Sequence, residues 1–370
     1  MKSYNGLFDA MKEIPEIEAS IDEAAKNKTK RKTVRRIIEN PKNKRAKAEK
    51  IQGTVESPEG WRPPHHETQP RQDGSHKKIR MIQKPRWDDE QIIHHMLMRQ
   101  FRPIVERSLY KYACGSIPGR GTHYAMRAMK RWRDGYKGQK FYVAELDIRH
   151  FYDTVDAERL KARLEKIIRD RRYKDLLFRV IDGGAPGLPK GFYTSPWLAH
   201  FLLTPTDHYI AQQLKPDHYL RYMDNFFLFA RNKKKLHAMV EALREHLLEQ
   251  LGLAIKDDWQ VYRFEGENRR AGKVTGRAIN CLGFVIHNNR VCLRKTILKR
   301  IRGKALRMHR KRRCRRIDAA AIISYLGYLQ HSDTYNYYKR HIKPNASVQY
   351  CKRRISALAK KSNKEARKAT

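Results

Sequence analysis

The sequence predicts an α+β fold, on three observations. A run of β-formers alternates over residues 141–148, and short aromatic and aliphatic runs stand at 219–223 and 226–230. Helix-period apolar patterns fill the stretches between and after them. The dipeptide Asp224-Asn225, suited to a tight turn, joins two of the runs as a hairpin, so helices mix with an antiparallel sheet. At 370 residues and 40% hydrophobic, the chain can build two or three subdomains around a real core but not several independent domains. Its formal net charge of +42 far exceeds what solubility needs. A polyanion is the natural partner, nucleic acid first, with a coat on anionic membranes or ribosomes as the alternative.

Residues 26–50 are rich in Lys and Arg and read as a basic helical arm; a turn-rich linker with Pro58, Pro63 and Pro64 follows to Gly74. Asp88 and Asp89 can cap a helix carrying Ile92, Ile93, Met96, Leu97 and Phe101, which Pro103 is expected to break. G-S-I-P-G-R-G at 115–121 is a loop, and a helix with an outward basic face is expected from Thr122 to about Arg133. Asp156 caps a helix bearing Leu160, Leu164 and Ile168. Residues 195–213 read as a largely buried helix, and Leu236, Met239, Val240, Leu243, Leu247 and Leu251 line one face of another ending at Gly252. A hairpin of residues 281–286 and 291–294 turns at His287-Asn288-Asn289. Beyond it come basic helices, one capped by Asp318, and a tail from about Asn363 without a core pattern.

No run approaches the roughly 20 apolar residues of a membrane span, and the opening M-K-S-Y-N-G-L-F-D-A lacks the core of a signal peptide, so a cytoplasmic protein without membrane contact is expected. The five cysteines show no metal-ligand spacing and read as reduced. His94 and His95 are adjacent and make a poor metal pair on a helix.

Asp147 and Asp224 each end or turn an apolar strand, where a carboxylate has little structural use. Two divalent cations held by such carboxylates are what nucleotidyl transfer needs, one to activate a 3′-hydroxyl and one to neutralise the triphosphate. A helix cap at Asp147 and a turn former at Asp224 are the alternative.

Y-M-D-N at 222–225, between an apolar strand and F-F-L-F, resembles the Y-x-D-D box of reverse transcriptases. L-D-I-R-H-F-Y-D at 146–153 resembles their first catalytic motif, and L-P-K-G-F-Y-T-S-P at 188–196 their P-Q-G-x-x-x-S-P loop. W-D-D-E-Q-I-I-H-H-M-L and Y-A-C-G-S-I-P-G-R-G-T-H-Y-A, with a late C-L-G-F and S-Y-L-G-Y-L-Q-H-S-D-T-Y, are similar to the prokaryotic enzymes of diversity-generating retroelements, within a wider group of retron and phage-defence relatives.

The resemblance implies a right-hand polymerase fold: a basic extension and linker over 1–75, fingers over 76–140, a palm over 141–285, and a helical thumb and tail over 286–370. It makes Asp147, Asp224 and the Ile148 carbonyl ligands of two Mg²⁺ ions, with Mn²⁺ as an alternative. Tyr152 becomes the gate against a ribose 2′-hydroxyl. Lys78 and Arg80 become the triphosphate clamp, Lys256 a general acid near the pyrophosphate, and Lys190, Gly191 and Tyr222 substrate-binding residues. A structured template RNA, a DNA or RNA primer and dNTPs are the implied partners, with a small basic accessory protein or a partner polymerase. Antiviral defence on a noncoding RNA is the rival enzyme setting, and an RNA-binding scaffold the rival class.

Two positions depart from the family pattern. Lys190 replaces the usual Gln, and Asn225 replaces the second Asp of the box, removing a negative charge. Three readings of Asn225 stand. It is native, with Glu145 on the same strand face as Asp147 supplying charge; it was introduced to arrest the enzyme; or it marks a polymerase kept for RNA binding.

Overall fold

The structure, a computed structural model, describes residues 3–57, 60–64, 66–73, 78–136, 138–184, 186–268, 273–311 and 314–357, without the side chains of 73, 78, 267 and 268. The tail expected from about Asn363 lies outside the described residues. The chain opens on α1 (Leu7–Lys12), α2 (Ile14–Ala25), α3 (Lys32–Ile38) and α4 (Pro41–Glu56). The hairpin β1 (Thr68–Asp73) and β2 (Lys78–Gln83), α5 (Glu90–Ser108), β3 (Ala113–Cys114) and α6 (Thr122–Gly135) follow. Next come β4 (Tyr142–Asp147), α7 (Phe151–Thr154), α8 (Ala157–Ile167), α9 (Arg171–Asp182) and α10 (Ser195–Tyr209). Then stand β5 (His218–Tyr222), β6 (Asn225–Ala230), α11 (Lys233–Leu251) and β7 (Gln260–Arg263). The chain continues through the β8 (Gly266–Asn268) and β9 (Lys273–Thr275) pair, β10 (Ile279–Cys281), β11 (Phe284–Ile286) and β12 (Val291–Leu293) to α12 (Lys295–Arg310), α13 (Arg316–Gln330) and α14 (Tyr335–His341).

The chain divides into two compact units, one of Met1–Pro118, Ala144–Leu228 and Lys234–Gln260, the other of Gly119–Val143, Phe229–Lys233 and Val261–Thr370. In the first, the amino-terminal segment is part of the fold. Phe8, Met11, Ile17, Ile21 and Ala24 are buried, and α2 packs on α4 and α5. Arg99 fixes that packing through ion pairs to Glu16 (2.5 Å) and Glu23 (2.7 Å).

Pro103 does not break α5, which runs on to Ser108. A proline inside a helix costs about 3 kcal/mol, but Ile104 and Val105 beyond it are buried, each worth roughly 1.5–3 kcal/mol, so burial wins. Three further expectations shift. The hairpin turn falls on Met223-Asp224, not Asp224-Asn225, because Met223 takes the left-handed backbone (φ 54) and Asn225 already opens β6. Residues 281–286 hold the last residue of β10 and all of β11, since Leu282 and Gly283 turn the chain between them. Helix α13 starts at Arg316, so Asp318 lies in its first turn instead of capping it.

The five-stranded sheet has the order β3-β5-β6-β4-β7. Because β6 lies beside β4, the start of β6 meets the end of β4. This α+β arrangement is that of the right-hand polymerase class. In the second unit, Phe141 stacks between Tyr136 (4.0 Å) and Phe264 (4.6 Å), and α6 buries Ala125, Met126, Met129 and Trp132. Arg133 is also buried there rather than outward, donating to the carbonyl of His287 at 2.8 Å.

Candidate active site

The strand-end meeting puts Asp147 and Asp224 together. The Ile148 amide donates to the Asp224 carbonyl (3.2 Å), and Ile148 bridges antiparallel to Ile255. That bridge seats Lys256 beside Asp147: its amide donates to the Asp147 carbonyl (2.9 Å) and its Nζ to Asp147 Oδ2 (2.5 Å). Burial first, and then the charge of Asp147, raise the Asp224 pKa, with Lys256 and Arg80 opposing. Asn225 Nδ2 donates to Asp224 Oδ1 at 3.2 Å, so its amide steadies the one charge that is disfavoured.

These donors fit a hard divalent cation. The Asp147 and Asp224 carboxylates are oxygen ligands, and a dication would relieve the repulsion that helps raise the Asp224 pKa. Among the described residues no third His, Cys, Asp or Glu joins them. Glu145 shares the half-buried face of β4 with Asp147.

Tyr152 lies on the short α7, largely buried, and its hydroxyl is held protonated by burial and then by the charge of Asp224. Its carbonyl accepts from the Leu188 amide (2.6 Å), which docks the 188–196 loop. Gly187 (φ 84) makes that dock, since a Cβ there would strike the Tyr152 carbonyl oxygen. Gly191 (φ 115) lets the other end pass the Gln83 carbonyl, while the Gln83 amide donates to the Lys190 carbonyl (2.9 Å). The loop thus ties the end of β2 to α7. Lys190 Nζ reaches Asp153 (2.5 Å). Arg80 stands exposed on β2, and its charge acts on both Asp224 and Tyr152; Lys78 starts the same strand, its side chain outside the described residues. Tyr222 closes β5, paired with Cys114.

Sequence reading missed two supports. Arg221, fully buried, grips Asp207 through two hydrogen bonds (2.5 and 2.7 Å) and donates to the Met223 carbonyl (3.0 Å), holding the Met223-Asp224 turn from behind. Tyr219 adds a bond to the same Asp207 oxygen that takes Arg221 Nε (2.7 Å). Signal existed in a lone Arg and a lone Asp within apolar runs. The second support is the histidine pair of α5: His94 meets the Phe192 ring (4.8 Å) and His95 stacks on Tyr193 (3.8 Å), so both brace the 188–196 loop. Burial pushes their pKa down to about 3 and about 4, leaving them neutral, as ring packing requires.

The sequence profile of the reverse transcriptase (RNA-dependent DNA polymerase) family matches residues 69–284. Protein YkfC of Escherichia coli is 26% identical over 213 residues, covering 46% of this chain and 55% of that one. An uncharacterized 91 kDa protein in the cob intron of Schizosaccharomyces pombe is 26% identical over 131 residues, covering 33% of this chain and 16% of its own. The chain thus spans about half of one curated relative and less of the other. Among solved structures, telomerase from Candida albicans in complex with a fragment of telomeric RNA is similar at a TM-score of 0.46 and 13% identity, over 67% of this chain and 51% of that one. Apo telomerase from Candida tropicalis is similar at 0.45 and 13%, over 64% and 48%.

Proposed function

The chain belongs to the reverse transcriptase family, and on that footing we propose that it is an RNA-directed DNA polymerase copying a dedicated structured RNA in a diversity-generating retroelement. The observation that carries the activity is the meeting of Asp147 and Asp224 at adjoining strand ends, where burial and the charge of Asp147 raise the Asp224 pKa. The retroelement setting is supported by the residue patterns at 87–97 and 112–125. A template repeat beside a variable target gene would favour it over phage defence.

Two Mg²⁺ ions, or Mn²⁺, held by Asp147, Asp224 and the Ile148 carbonyl, would supply the charge that activates the 3′-hydroxyl and neutralises the triphosphate. The chain's residues do the rest. Lys78 and Arg80 on β2 bind the triphosphate as cations. The Tyr152 ring, protonated and buried, excludes a ribose 2′-hydroxyl by bulk. Lys256 hands a proton to the departing pyrophosphate once Asp147 takes a different counter-charge. Lys190, tied to Asp153, and Gly191 set the floor under the sugar and base, beside Tyr222. Fingers over 76–140, palm over 141–285 and thumb over 286–370 are our assignment. The proposed partners are template RNA, primer, dNTPs and an accessory protein. Among the described residues no helix is long and apolar enough to cross a membrane.

The test is substitution. Asp147→Ala and Asp224→Ala should each abolish primer extension on an RNA template, a loss of at least about a thousandfold, because a ligand of the cations is gone. Full extension by Asp224→Ala would sink the assignment; RNA binding without extension in the unaltered chain, across metals and primers, would favour the scaffold.

A further inference from the structure

Within the first unit, apart from the aspartate site, α5, α8, α10 and α11 line an open cavity of about 800 Å³, a size that takes a small ligand. None of its described lining residues is acidic, whereas Arg107, Arg163 and Lys166 are cationic. Arg163 is the telling one. Its half-buried guanidinium donates to the Leu202 carbonyl (3.1 Å), and no described carboxylate stands within ion-pair reach. A guanidinium partly withdrawn from water and without a counter-charge favours an anion, and burial accordingly lowers its pKa.

The same cavity is lined by Tyr209 and His246, stacked at 4.0 Å and 4° from parallel. Thr206 Oγ1 lies 3.3 Å from His246 Nε2. Burial and the charge of Arg163 push the His246 pKa down, against the pull of Glu249, so the ring is a neutral, flat surface. After Tyr209 the helix widens into a π-turn at Ile210–Leu214, a rare geometry that recurs at functional sites, and this brings Gln212 and Gln213 to the cavity.

We propose that this cavity binds a nucleotide, with its phosphate on the Arg163 guanidinium and its base against the Tyr209–His246 ring pair. A planar fork suits a phosphate, a base extends an aromatic stack, and the two glutamines offer donors and acceptors to its edge. The nucleotide is either free or an unstacked residue of an RNA, and the chemistry is the same.

Photocrosslinking of the full chain with 8-azido-AMP in EDTA, which removes metal-dependent binding at the aspartates, should label a peptide containing Tyr209 or His246. AMP should compete about tenfold better than adenosine or inorganic phosphate, since neither alone engages both halves of the site. Arg163→Gln should cut labelling by about tenfold and Arg163→Lys by less, with primer extension unchanged in both as the control for folding. Should Arg163→Gln fail that control, Tyr209→Leu replaces it. A single-stranded RNA carrying 4-thiouridine identifies the source: crosslinks at the same peptide assign an RNA nucleotide, label from AMP alone a free one, and either supports the site. Labelling confined to other peptides, or indifferent to both Arg163 and Tyr209, would overturn it.

Discussion

Asp224 is held where charge is unwelcome, and that gives a pH dependence with a definite sign. Burial, then Asp147, raise its folded pKa above the ordinary 3.8. The stabilising contribution of its protonated form is full below the unfolded value and is lost as pH rises through the raised folded value. In metal-free buffer Asp224 should therefore contribute a fall in the unfolding midpoint as pH climbs from about 4 through that window, against the rise contributed by Glu23, whose pKa is lowered. Asp224→Asn should abolish this fall and melt higher than the parent at neutral pH, while showing no primer extension; a parallel pH trend in both proteins would contradict the account. Asn225 extends the same logic. Its amide donates to Asp224, so Asn225→Asp turns a hydrogen bond into a third repulsion, lowering metal-free stability. With metal the added anion should raise extension rate and lower the Mg²⁺ needed for half-maximal activity. A flat or reduced response in a Mg²⁺ and Mn²⁺ titration would mean that the site is built around the amide.

The Met223-Asp224 turn as an element depends on the buried pair behind it. Removing one member of a buried, hydrogen-bonded ion pair leaves the other uncompensated, which costs about 3–5 kcal/mol. Arg221→Met should lower stability by that amount in urea unfolding, and also free the Met223 carbonyl, so extension should drop more than residual folding explains. Pairing it with Asp207→Leu should restore much of the stability but not the activity; recovery of both would reduce the pair to packing. Strands β4, β5 and β6 were legible because the alternation of β4 and the apolar runs of β5 and β6 are local properties. Arg221 with Asp207 was not, because each shows only as a lone charge in an apolar run, and the 14 residues between them hide that they pair. Helix α5 past Pro103 was hidden for a related reason: the offsetting burial of Ile104 and Val105 is tertiary. Lys256 was legible by family position, yet its grip on Asp147 arises from the Ile148–Ile255 bridge, which no local pattern announces.

At the scale of the molecule, the exposed cations separate from the proposed metal site. Exposed cations occur on α4, at Lys42, Arg45 and Lys50, and on α12, at Lys295, Lys299, Arg302, Arg307 and Arg310, so both units contribute to a net +42. The buried face of α12, through Ile301, Ala305 and Met308, fixes the helix and turns those cations outward. Binding of RNA should then be dominated by counterion release, with log affinity falling against log salt by roughly 0.7 for each phosphate neutralised on a single strand. Replacing one aspartate changes the net charge by a single unit in +42 and touches none of the exposed cations. Asp147→Ala and Asp224→Ala should accordingly bind RNA with the slope of the parent protein while extending nothing. Fluorescence anisotropy of a labelled RNA from about 50 to 200 mM KCl measures it. A shallower slope in the variants would mean that their lost activity came through disturbed folding; equal slopes with lost extension locate the defect at the two carboxylates.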